Sequence, residues 1–173
     1  MKKLIVLLFV FLAGCTGVPQ GLTVVEDFSL ERYLGSWYEI ARLDNRFEKE
    51  LEPVVATYSF APDGSVKVVN RGFDTKKQEW KTIEGRGLFL DDKVTTKGAL
   101  KVSFFGPFYA SYNVVALDKT GYNWALVCGR DKSYFWILSK NPDMDPALLK
   151  ELVAKAATLG FDTAKLRYVS THR

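Results

Sequence analysis

Between residues 35 and 140 the chain alternates short apolar-rich stretches with turn signals, a pattern that predicts antiparallel β-structure in a barrel or sandwich. The expected strands cover 37–43, 54–60, 65–73, 81–90, 100–105, 111–117, 124–128 and 134–140. Ala61-Pro62-Asp63-Gly64 and Asp118-Lys119-Thr120-Gly121 turn the chain between strands, and 91–98 is a polar loop. Gly106-Pro107 breaks the chain again, and Gly129-Arg130-Asp131 joins the last pair. Eight strands joined in order by short connections predict an all-β, up-and-down antiparallel barrel. Eight is also the count at which such a barrel encloses one small ligand.

Three further elements frame the barrel. Residues 29–34 predict one short helical turn leading into Gly35. Asp145 is placed to cap a helix, and Pro146 suits its first position. Leu149, Leu152, Val153, Ala156 and Leu159 then recur at helical spacing until Gly160 stops the run. That stripe needs an apolar partner, most simply the outside of the barrel. Residues 166–169 predict a short ninth strand beside the barrel edge, and there is no internal repeat.

The start of the chain follows another pattern. Lys2 and Lys3 precede an apolar run over 4–13, then Gly14-Cys15. The run is too short to span a bilayer, which takes about 20 residues, and reads as a secretory signal. Leu12-Ala13-Gly14-Cys15 resembles the lipobox of bacterial lipoproteins, in which the chain is cut before the cysteine and the new N-terminal Cys15 is acylated. The expected organisation is a signal peptide over 1–14, acylated Cys15 with a tether over 15–24, and one barrel domain over 25–173. Two or more acyl chains hold a protein stably on a membrane. Thr16, where an aspartate would favour the inner membrane, points to the outer membrane facing the periplasm.

Charge and composition narrow the chemistry. Removing Lys2 and Lys3 lowers the formal charge from +4 to +2, too little to suggest nucleic acid binding. Acylation of Cys15 leaves Cys128 alone, so no internal disulfide forms. The only histidine is His172, beside the C-terminus, so no Ser-His-Asp set can be built and no cluster has metal-ligand spacing. Cys128 has no nearby histidine in sequence to activate it, and a buried small apolar role suits it better than a nucleophile. The expectation is a non-catalytic protein without cofactor or metal.

Three runs resemble the lipocalin family. They are Gly35-Ser36-Trp37-Tyr38-Glu39-Ile40-Ala41-Arg42, then the stretch from Phe108 to Asp118 with its aspartate at the turn, and Trp136-Ile137-Leu138-Ser139-Lys140-Asn141-Pro142. Bacterial lipoprotein lipocalins are more similar still, sharing the lipobox and the run from Leu100 to Tyr109. The resemblance covers nearly all of the chain after the signal and implies structural signature roles for Gly35, Trp37, Asp118 and Lys140. Lys140 stands where the family usually has arginine. An up-and-down count puts Trp37 and Lys140 at the same end, where the cation can cover the indole for about 0.5–2 kcal/mol.

With Trp37 inward and the other strands aligned on the family pattern, alternation places Ala56, Tyr58, Asn70, Phe89, Phe104, Tyr112, Val127 and Trp136 inside and Cys128 outside. These residues are the expected ligand-binding wall, with Asn70 and Tyr112 as hydrogen-bonding candidates for a head group or carboxylate. The loops around Phe47, Asp74, Gly106-Pro107 and Arg130 would form the open end. Phe104, Phe105, Phe108 and Tyr109 crowd that end, where core, membrane, a second copy of the chain or ligand could each take them. The resemblance implies an outer-membrane-anchored carrier that stores or transfers fatty acids or (lyso)phospholipids for envelope maintenance, possible as a homodimer. The alternative is an envelope interaction scaffold that uses the aromatic mouth and leaves the barrel inert.

Overall fold

The computed structural model describes residues 16–45 and 48–171. Cys15, Phe47 and His172 therefore lie outside the described residues, as do the expected signal peptide and the acylation site. A four-residue helix, α1 (Leu30–Tyr33), leads into eight strands. They are β1 (Gly35–Leu43), β2 (Leu51–Phe60), β3 (Val66–Asp74), β4 (Glu79–Phe89), β5 (Ala99–Phe105), β6 (Phe108–Leu117), β7 (Trp124–Cys128) and β8 (Phe135–Ser139). Helix α2 (Pro146–Thr158) and β9 (Leu166–Tyr168) follow. Each strand pairs antiparallel with the next, and β1 closes the barrel by pairing with both β8 and β2.

The closure is uneven. β2 pairs only with Gly35–Tyr38 of β1, and farther along Ala41 to Leu43 pair with β9. β9 thus covers the edge of β1 that β2 leaves, from outside the barrel. The connections β2–β3, β4–β5 and β6–β7 gather at the floor with α1. The other four form the mouth.

Two apolar cores follow from strand alternation. The inner one joins Trp37, Tyr58, Val66, Val68, Leu100, Val114, Ala125, Val127 and Leu138 with Phe28 and Tyr33 from the floor. The outer one packs Leu152 and Ala156 of α2, with Phe161, against Ile40, Leu126, Cys128, Phe135 and Ile137. The rings of Phe135 and Phe161 stack 4.2 Å apart. The Asp145 carboxylate caps α2 by accepting from the Ala147 and Leu148 amides at 2.8 and 3.0 Å.

The stretch read from sequence as a tether is different in the structure. Gly17 donates its amide to Ser111 Oγ at 2.8 Å, and its carbonyl accepts from Asn113 Nδ2 at 2.9 Å. Leu22 is buried in the outer core. Val25 bonds to Val114 through its amide and to Gly98 through its carbonyl, both at 2.9 Å. These contacts satisfy backbone groups that a free linker would leave to water, so 16–25 lies against β6.

Candidate functional site: the barrel interior

The floor is assembled first by short-range contacts. Gly35 takes φ +104°, a conformation that favours glycine, where α1 turns into β1. Trp37, fully buried, stacks on Tyr33 at 4.6 Å and donates its indole N–H to the Tyr33 carbonyl at 2.7 Å. Lys140 Nζ lies 5.3 Å from the Trp37 ring centre and donates to the Arg32 carbonyl at 2.8 Å. Burial, and then Arg32, holds the Lys140 ammonium below its ordinary pKa. Arg32 covers the Tyr122 ring at 4.1 Å and donates to the carbonyls of Lys119 and Thr120. Asp118 organises that turn by accepting from the amides of Thr120, Gly121 and Asn123. Burial pushes the Asp118 carboxyl up, but these amides outweigh it and leave its pKa lowered.

Above the floor three tyrosines meet. The hydroxyls of Tyr33 and Tyr112 are 2.7 Å apart, and Tyr58 donates to Tyr112 at 3.0 Å. Burial raises all three well above the ordinary tyrosine range, so each stays a neutral phenol. Ala56, Phe89, Phe104, Tyr112 and Trp136 pack against the inner cluster, of which Tyr58 and Val127 are members. Asn70 pairs with Ala56 across β2 and β3, on the same face as Trp37, and its Oδ1 is buried with no protein partner. The close approach of Phe104 requires Gly85 on β4, since a Cβ there would lie 2.7 Å from the Phe104 ring.

The mouth side holds a charged group that alternation implies but that the sequence reading did not single out. Glu39 lies opposite Leu138 and faces inward by alternation, and a bulge between Glu39 and Ala41 brings Arg42, opposite Trp136, to the same side. Arg42 is fully buried and donates from Nη1 to Glu39, and from Nη2 to the carbonyls of Glu48 and Leu51 at 2.7 and 3.3 Å. The Glu48 carboxylate accepts from the Trp136 indole at 2.9 Å and from Asn45 Nδ2 at 2.7 Å. Burial pushes the Glu39 carboxyl up to about 8; Glu48 adds to the rise and Arg42 opposes it. A cavity of about 790 Å³ lies at the floor rim, walled by Ser65 and by Leu30, Val66 and Phe89 of the inner cluster.

Cys128 faces the outer core, and burial pushes its thiol up to about 12, with Lys132 opposing. A thiol this far from ionisation is a packing group. Among the described residues no group of His, Cys, Asp and Glu is arranged to hold a metal ion, and no helix is long and apolar enough to cross a membrane. What the arrangement can do is hold an apolar chain above the Trp37 floor and meet a polar end with tyrosine or asparagine.

The comparisons agree with that geometry. A family model described as a lipocalin-like domain matches residues 28–171. Outer membrane lipoprotein Blc of Escherichia coli (strain K12) is 50% identical over 151 residues, covering 87% of this chain and 84% of that protein. The protein of the same name from Vibrio cholerae is 45% identical over 165 residues, covering 95% of each. Among solved structures, insecticyanin from the tobacco hornworm superposes with a TM-score of 0.68 at 23% identity, over 89% of this chain and 86% of its own, a likeness of fold. This chain belongs to the lipocalin family.

Proposed function

We propose that the chain is a lipid-binding lipoprotein of the outer membrane, acylated at Cys15 and facing the periplasm, that carries fatty acids or (lyso)phospholipids without making or breaking bonds. The single observation that carries this reading is the inner wall. Aromatic and aliphatic side chains line a barrel sealed by Trp37 at one end, and buried polar groups wait at two depths. In the tyrosine group three hydroxyl protons serve two links, so one donor remains for a ligand oxygen. Asn70 Oδ1 offers an acceptor to a protonated head group. A sixteen-carbon chain gains about 12 kcal/mol gross at about 0.8 kcal/mol per methylene. Association costs on the order of 4–15 kcal/mol. The polar contacts therefore decide which lipid stays. The relatives named outer membrane lipoprotein support the location, and the family's binding proteins support a non-catalytic role.

The test is a fluorescence titration with palmitate and with a lysophospholipid. Trp136→Ala and Tyr112→Ala each weaken binding; unchanged affinity in both removes the pocket assignment. The exposure of Phe105 and Phe108 favours a second reading, a scaffold or homodimer joined through the mouth. A barrel that refuses added lipid would select it.

A further inference from the structure

Phe105 and Phe108 are the most exposed large apolar residues among those described, at 74% and 68%. They lie opposite each other across Gly106-Pro107, at the β5–β6 tip of the mouth. Nothing in the barrel needs them there. Phe104, their neighbour, already fills the space over Gly85. Other exposed aromatics do not form such a pair. Phe60 is at the floor, and Trp80 is covered by Arg71 at 4.3 Å.

Asn113 on β6 is fully buried, and its Nδ2 donates both to the Gly17 carbonyl and to the Gly129 carbonyl of the β7–β8 connection, at 2.9 and 3.0 Å. The N-terminal segment is thereby fastened on the mouth half of the barrel. Gly17 also meets Ser111, only three residues from Phe108, or about 10 Å along the strand. Cys15 is joined to Gly17 through Thr16 alone, so chain length keeps it within about 7 Å. Acyl chains on Cys15 therefore leave the protein beside the mouth, not below the floor.

We infer that the mouth of the barrel lies against a phospholipid surface, with Phe105 and Phe108 entering its interface, so that lipid passes between bilayer and barrel without crossing water. The inference rests on the reading that Cys15 is acylated. Two ion pairs flank the mouth, Lys76 with Glu50 at 2.9 Å and Arg130 with Asp131 at 3.2 Å. Docking is accordingly apolar and insensitive to salt.

The full acylated chain is reconstituted on vesicles of phosphatidylethanolamine and phosphatidylglycerol containing brominated lipid. It carries an environment-sensitive probe at Phe105→Cys, Phe108→Cys or, as a floor-end control, Lys93→Cys. Cys128, buried under α2, stays unlabelled. The expected result is flotation with the vesicles in all three cases, with bromine quenching at 105 and 108 several-fold above that at 93 and unchanged in high salt. Equal or absent quenching at 105 and 108 overturns the orientation while leaving the anchor standing. Probes shielded from both water and bromine show a second copy over the mouth and overturn it as well. A chain that does not float overturns the anchor and the orientation with it.

Discussion

Lys140 stands over Trp37 at 5.3 Å, joining the residue directly after β8 to the first strand of the barrel. The contact ties β8, β1 and α1 together, because Lys140 also holds the Arg32 carbonyl and Trp37 holds that of Tyr33. Together these contacts close the floor end of the barrel.

Lys140→Met should therefore lower stability by about 1 kcal/mol, the size of a partly exposed cation–π contact. Lys140→Arg should match or exceed the native protein, since a flat guanidinium stacks on indole and forks to carbonyls. Urea denaturation with unchanged slope measures both. A neutral Lys140→Met would show that the floor holds without the cation.

Glu39 gives a pH signature. Its folded pKa of about 8 lies above the ordinary 4.5, chiefly through burial. The native state then binds the extra proton, so this group's contribution is fully present below about 4.5 and is lost as pH rises through 8. The denaturation midpoint should fall between pH 5 and 8, and Glu39→Gln should flatten that fall. An unchanged slope in the variant would assign the pH dependence to other groups.

Cys128 should be silent to thiol reagents in the native protein at pH 8 and react at once in denaturant, given a thiol pushed up to about 12 by burial. Rapid native modification would mean that the outer core under α2 opens readily.

Asn113→Ala should release the N-terminal segment. One buried and one partly buried hydrogen bond are lost, for about 1–3 kcal/mol, and Gly129 and Gly17 lose their shared donor. Residues 16–24 should then become open to limited proteolysis while the barrel resists. Equal resistance in variant and native protein would place the hold on Leu22 instead.

Much of the fold was legible because period-two alternation and turn residues agree. Ala61-Pro62-Asp63-Gly64 and Asp118-Lys119-Thr120-Gly121 fall between strands, and Asp145 caps α2. The inward orientation of Val127 and outward orientation of Cys128 follow from one alternation. The stretch 16–24 was not legible, because its glycines and proline resemble a linker while its holding partners, Ser111 and Asn113, are far away in sequence. The Glu39–Arg42 pair was half legible. Alternation from Trp37 points Glu39 inward, but the bulge that brings Arg42 to the same side has no mark in the sequence. Tyr33 and Glu48 reach the interior from a helical turn and a loop, where strand period says nothing.

The most direct test of the carrier is chemical. The chain is expressed as Cys15→Ser, purified without detergent, extracted with organic solvent and examined by mass spectrometry. The account predicts about one fatty acid or lysophospholipid per barrel, intact and unmodified. An empty barrel that also takes up no added lipid would contradict it.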